Sequence, residues 1–110
     1  MTAKAEIEAG VCGFHTQAIA RTEDSRHVTF QVTSDCEKIQ KVAASLKGKE
    51  PLDAYQEISA GGKSRLMTCA EETLKGCCAA CAVPVGFFKA MQVAAGLALP
   101  RDISIRLSKE

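Results

Sequence analysis

FHTQAIARTEDSRHVTFQVTSDCEKIQKVAASL, residues 14–46, changes its hydrophobic period midway, and that change decides the fold. In HVTFQV (27–32) the apolar residues Val28, Phe30 and Val32 alternate with polar ones, the pattern of a strand buried on one face. From residue 34 the spacing becomes helical, with Ile39, Val42, Ala43 and Leu46 on one stripe. Ser34 and Glu37 form an S-x-x-E capping box, which predicts a helix starting at residue 34. Upstream, TEDSR (22–26) supplies turn residues that fold FHTQAIAR (14–21) back onto HVTFQV as a hairpin. KAEIEAGV (4–11) alternates through Ala5, Ile7, Ala9 and Val11, adding a strand. The result is a three-stranded antiparallel meander feeding into helices.

Downstream, GKEP (48–51) ends the first helix, DAYQEI (53–58) suggests a short helical turn, and SAGGKS (59–64) reads as an exposed flexible loop. The Gly-Gly-Lys-Ser within it lacks the spaced first glycine and preceding strand of a phosphate-binding loop. RLMTCAEETLK (65–75) places Leu66, Cys69, Ala70 and Thr73 on one helical face, with Gly76 as the C-terminal cap. Pro84 suits the first turn of a helix, and VGFFKAMQVAAGLAL (85–99) is apolar on most faces, as a buried helix is, until Pro100 stops it. DISIRLS (102–108) alternates Ile103, Ile105 and Leu107 with polar residues, which predicts a closing strand. The fold class expected is α+β, a three-stranded antiparallel meander packed against helices, as one domain over residues 1–110.

A chain of 110 residues with 46% hydrophobic content has enough apolar side chains for one core and too few residues for two ordinary domains. Fourteen basic residues against thirteen acidic ones leave a net charge of +1, with no footprint for nucleic acid or an anionic membrane. MTAKAEIEAG has no signal-peptide core and no apolar run reaches the ~20 residues that span a bilayer, so the expected location is the cytoplasm. Lys4, Lys38, Lys41, Lys47 and Lys49 are interspersed with acids and read as solvated faces, while Phe87, Phe88 and Met91 read as core.

The chemistry lies in six cysteines. A disulfide framework needs an oxidising compartment and usually a domain too small for a core, so metal ligands, a reactive thiol or buried inert thiols are the alternatives. Cys12 precedes Gly13 at the end of a strand, and Cys36 falls in the first turn of a helix, where the dipole favours a thiolate. GCCAACAVP (76–84) puts Cys77, Cys78 and Cys81 between two helices, Cys81 just ahead of a helix start. Cys78-x-x-Cys81 suits either a thiol–disulfide pair or half of a tetrahedral metal site, although it follows a helix rather than the first strand of a thioredoxin-like βαβ unit. Cys69 shares the apolar face of Leu66 and Ala70 and reads as a buried inert thiol. His15, close to Cys12, is a further candidate ligand, whereas His27 reads as a turn or sheet-edge histidine.

In order and spacing, residues 5–98 resemble the U-type iron–sulfur cluster scaffolds, of the IscU and NifU N-terminal kind. Cys12-Gly13, Ser34-Asp35-Cys36 and Ala80-Cys81 stand where those proteins carry a Cys-Gly-Asp turn, a Gly-Cys strand end and a His-Cys pair. SLKGKEPLDAYQEI (45–58) and CAVPVGFFKAMQVAA (81–95) resemble the family's helix end and its cysteine-headed final helix. The chain departs from the pattern at Phe14, where the family has the aspartate that assists cluster release, and at Ala80, where it has histidine. The Leu-Pro-Pro-Val-Lys segment shown to a chaperone is replaced by the region around LKGCCAA (74–80). The resemblance implies an IscU- or NifU-like fold and a site of Cys12, Cys36 and Cys81. Completed by Cys78, that site would be all-thiolate and would retain a cluster more firmly than one with an exchangeable carboxylate; Cys77 and His15 are further candidates for the fourth position.

The expectation is a small cytoplasmic, non-enzymatic iron–sulfur cluster or metal-binding protein of scaffold or carrier type. Its partner would be a donor or recipient protein in metallocluster handling, with no nucleic acid and no membrane. A second copy docking through the apolar last helix is a further option. One alternative is a structural zinc module, since zinc is equally at home among four thiolates. Another is a thiol enzyme with Cys36 or Cys81 as nucleophile, for which neither histidine is obviously placed as base.

Overall fold

The structure, a computed structural model, describes residues 1–110 and is an α+β fold in which helices cover one face of an antiparallel sheet. The sheet runs β1 (Thr2–Glu8), β2 (His15–Arg21), β3 (His27–Ser34) and β4 (Leu52–Asp53), in the spatial order β1-β2-β3-β4. β1 pairs with β2 from Thr2 opposite Arg21 to Glu8 opposite His15, and β2 with β3 from Thr16 opposite Ser34 to Arg21 opposite Thr29. This register brings Ala3, Ala18, Ala20, Val28 and Phe30 together on the buried face, with Ala5 and Ile7 half-buried beside them. The opposite face carries Lys4, Glu6, Gln17 and Thr29, consistent with an antiparallel sheet wetted on one side.

The meander is as expected; its first strand is displaced. β1 ends at Glu8, and Gly10 and Gly13 turn the chain with φ of 98° and 71°, a region L side chains disfavour. Val11, expected to face the core, is fully exposed on that turn. The fourth strand is an addition. β4 pairs His27 with Asp53 and Val28 with Leu52. Beyond that pair, the Phe30 N–H donates to the Glu50 carboxylate at 2.6 Å and the Lys47 ammonium donates to the Phe30 carbonyl, so side chains replace the missing ladder. Lys47, expected as part of a solvated face, thus has a structural partner.

Helix α1 (Glu37–Lys47) buries Ile39, Val42 and Leu46. It begins three residues later than the capping box predicts, because Ser34 is the last residue of β3 and Cys36 is the N-cap, with no side-chain cap bond. The Ser34 hydroxyl is held 2.8 Å from the Thr16 hydroxyl and accepts the Cys36 N–H at 3.1 Å. Helix α2 (Ala54–Ser59) is capped by Asp53, which accepts the N–H groups of Tyr55 and Gln56. A 3-10 turn at Gly61–Lys63 interrupts the expected loop. Ser64 then caps α3 (Arg65–Thr73), accepting the Met67 N–H at 2.9 Å. Glu57, 3% exposed, accepts the N–H groups of Arg65 and Leu66, both at 2.8 Å, and ties α2 to the start of α3. Helix α3 closes at Leu74, and Gly76, expected as its cap, opens the next 3-10 turn (Gly76–Cys78) at φ 64°.

Helix α4 (Val83–Ala94) lies across β1 and β2, with Pro84 in its first turn. Phe87 reaches Phe30 with ring centroids 5.9 Å apart, and Met91 is fully buried. Within residues 76–94 a window of 18 residues reaches a mean hydropathy of 1.5, yet α4 itself has 12 residues. At 1.5 Å per residue it measures about 18 Å, short of the ~30 Å hydrocarbon layer. The helix ends at Ala94 rather than continuing to residue 99. The closing strand predicted at 102–108 does not form: Ile103, Ile105 and Leu107 are 56%, 72% and 92% exposed on a tail without regular secondary structure.

Candidate functional site

Four of the six cysteines line one cleft of about 420 Å³ at the end of the sheet where β1 turns into β2 and β3 passes into α1. Three separate structural elements deliver them. Cys12 is exposed on the β1–β2 turn, which is closed by the Gly13 N–H to the Gly10 carbonyl at 2.9 Å. Cys36 is half-buried at the N-cap of α1, where the free N–H groups and dipole of the helix favour negative charge. Cys78 ends the 3-10 turn, and Cys81 follows three residues later, two before the start of α4. Ala9, Phe14, Leu74 and Val83 complete an apolar wall.

Burial pushes the Cys81 thiol up. The Val83 N–H donates to it and opposes the shift, while the neighbouring charges of Cys12, Cys78 and Cys36 add to it. These influences identify the four thiols as one electrostatic group: ionising all of them needs positive charge nearby. Lys38, on the exposed side of the first turn of α1, supplies some, its ammonium donating to Cys78 Sγ at 3.4 Å. Lys38 was expected as part of a solvated face, and it also lines the cleft. Asp35 lines the cleft too, its carboxylate accepting the His15 N–H at 3.4 Å. A cation two residues after a helix-start cysteine is the sequence signal for Lys38, and nothing distinguishes it there from an ordinary surface lysine.

The remaining candidates lie elsewhere. Cys77 is exposed and absent from the cleft wall. His15 heads β2 with Nδ1 at 2.8 Å from the Glu8 carboxylate, and it too is outside the wall. His27 pairs in the same way with Asp24 at 2.6 Å. Cys69 is 1% exposed in the core, its Sγ 3.7 Å from the Val42 carbonyl, and burial pushes its thiol up.

Among the described residues no three His, Cys, Asp or Glu side chains are gathered tightly enough to hold a single metal ion. The cleft brings its thiols to a common wall without converging them on one point. The donor set is nevertheless weighted towards soft-metal chemistry: four sulfurs line the cleft beside the carboxylates of Asp35 and Glu37, with a cation next to one of the sulfurs. It suits thiolate ligation in its chemical composition.

The chain belongs to a family of unknown function, DUF6951, whose pattern it matches over residues 3–107. No curated protein and no solved structure matches it.

Proposed function

We propose that this protein binds an iron–sulfur cluster through Cys12, Cys36, Cys78 and Cys81 and passes it to, or receives it from, a partner protein. The observation that carries this reading is that four thiols from three chain regions line one cleft. A cluster supplies ferric charge and bridging sulfide that no side chain provides, and thiolates are its usual protein ligands. The chain's own contribution is to hold the sulfurs in place and compensate their charge. The N-terminus of α1 sits under Cys36, the Val83 N–H faces Cys81, and the Lys38 ammonium faces Cys78. Ala9, Phe14, Leu74 and Val83 give the half-buried Cys36, Cys78 and Cys81 an apolar surrounding, a setting that tunes cluster potential and lability, while Cys12 stays exposed.

The U-type scaffold resemblance points the same way, and an exposed Cys12 on a glycine-hinged turn suits a site that must open to a partner. On this reading the protein is cytoplasmic, where free thiols persist, and acts as a carrier rather than a catalyst. A single structural zinc is the second reading; the cleft of about 420 Å³ favours the larger cofactor.

The test is a series of single serine replacements at Cys12, Cys36, Cys78 and Cys81, with Cys77→Ser and Cys69→Ser beside them, each reconstituted anaerobically and assayed for retained iron and sulfide. Loss in the first four and retention in Cys77→Ser and Cys69→Ser is expected. Equal retention in all six variants overturns the site. Retention of one zinc with no uptake of iron and sulfide by the parent protein moves the assignment to the structural module.

A further inference from the structure

The free edge of the sheet and the free C-terminal tail are complementary. β1 is an end strand, so one side of its backbone has no strand partner among the described residues, and at seven residues it is a long edge to leave open. The tail after Pro100 has no regular secondary structure and is exposed at every residue from 101 to 110, although Ile103, Ile105 and Leu107 alternate as a half-buried strand does. We propose that each tail adds as a strand to the β1 edge of a second copy of this chain, giving a reciprocal two-fold dimer.

The tail makes no pairing with its own β1 although both belong to one chain, which leaves the edge to another copy, and charge fits the tail to that edge. The phase that places Ile103, Ile105 and Leu107 on the helix-covered side, with Ala3, Ala5 and Ile7, places Ser104 and Arg106 on the solvent side, with Lys4, Glu6 and Glu8. An antiparallel register setting Ile105 against Ile7 brings Arg106 opposite Glu6 and Ser108 opposite Lys4. A parallel register setting Leu107 beside Ile7 also brings Arg106 beside Glu6. Opposite charges across a strand pair stabilise it, and like charges oppose it.

The helix layer has a place for the apolar side chains. Gly86 sits over Ile7, and Phe87, one step of about 100° around the helix, points towards β3. Val85 is one step in the other direction, facing away from the Phe87 side, and it is 44% exposed. An added strand would therefore meet Val85 on α4 as well as the β1 backbone. This partner surface lies on the tail and the sheet edge rather than on the main face of α4, whose Phe87 and Met91 are committed to the core of their own subunit.

Sedimentation equilibrium of the 110-residue chain tests the proposal. The parent protein is expected to dimerise. Ile105→Asp should weaken the dimer by at least about tenfold, since two symmetry-related apolar contacts are lost together. Arg106→Glu and Glu6→Arg should each weaken it several-fold, and their combination should restore most of the loss. Thermal melts of the variants under dilute, monomeric conditions should superimpose on the parent melt, because these side chains lie outside the core. A monomeric parent overturns the proposal, as does a dimer indifferent to Ile105→Asp and to charge reversal. A monomer whose tail amides resist hydrogen exchange assigns the tail to its own β1 edge and equally overturns exchange between copies.

Discussion

Replacing Gly86 by alanine sets two known effects against each other. A Cβ at this position would lie 2.4 Å from Ile7 Cδ1 and 2.7 Å from Ile7 Cγ1, against an ordinary carbon contact of ~3.5–4.0 Å, with Ala5 Cβ already at 4.0 Å. Within α4 the substitution gains about 1 kcal/mol of helix propensity. Overpacking of this kind costs about 1–3 kcal/mol, and because Ile7 is half-buried and has some freedom to move, the middle of that range applies. The net is a destabilisation of about 1 kcal/mol, or roughly 4 °C in melting temperature for a domain of this size. Function should follow, because lifting the first turns of α4 from β1 carries Cys81 away from the Cys12 turn. Thermal and urea melts of Gly86→Ala, Ile7→Ala and the double variant measure the coupling. The double variant should be more stable than the sum of the single effects by about 1–2 kcal/mol, since removing Cγ1 and Cδ1 makes room for the new methyl. If Gly86→Ala is stabilising by the full propensity term and the cycle is additive, close approach of α4 to β1 is not what requires glycine here.

Cys69→Ser should lower stability by about 1–2 kcal/mol in denaturant melts, because the more polar hydroxyl is buried in an apolar core with the Val42 carbonyl and the Ser45 hydroxyl as its polar neighbours, while iron and sulfide retention stays at the parent level. Glu37→Gln should leave the melting temperature within about 1 °C, since no capping box exists to lose, whereas Ser34→Ala should cost about 1 kcal/mol by freeing the Cys36 N–H and the Thr16 hydroxyl. Asp24 is held well below its ordinary value of 3.8, chiefly by the His27 side chain and then by the His27 and Arg26 N–H groups. Its stabilising effect is therefore fully present above that value and is lost as the pH falls further into acid. Melts of the parent and Asp24→Asn should show a gap that narrows in strong acid, below the ordinary carboxylate range; a gap that widens on such acidification contradicts the assignment.

The β2–β3 hairpin was legible because Ala18, Ala20, Val28 and Phe30 keep a strict period of two on either side of an Asp-Ser turn, and helix α1 because Ile39, Val42 and Leu46 keep the helical one. β4 was not, because two residues carry no period and their pairing depends on how Glu50 and Lys47 finish the edge of β3. The S-x-x-E pattern misplaced the helix start: Ser34 has the right chemistry for a cap, but its hydroxyl is engaged by Thr16 on the neighbouring strand. In the tail, Ile103, Ile105 and Leu107 have strand periodicity, and periodicity says nothing about which edge a strand joins. The cleft thiols were legible singly, as cysteines at turns and helix starts, whereas Lys38 was hidden because an exposed helical lysine looks the same whether or not a thiol lies within its reach.

The central claim is that the four cleft thiols hold an iron–sulfur cluster. The most direct measurement is iron, acid-labile sulfide and zinc analysis of anaerobically purified protein before and after reconstitution, with the visible spectrum of the same sample. The account predicts equal iron and sulfide together with sulfur-to-iron charge-transfer absorption, both abolished when Cys12, Cys36, Cys78 and Cys81 are all serine. Colourless protein that takes up neither iron nor sulfide, or a chromophore that survives the quadruple replacement, contradicts it.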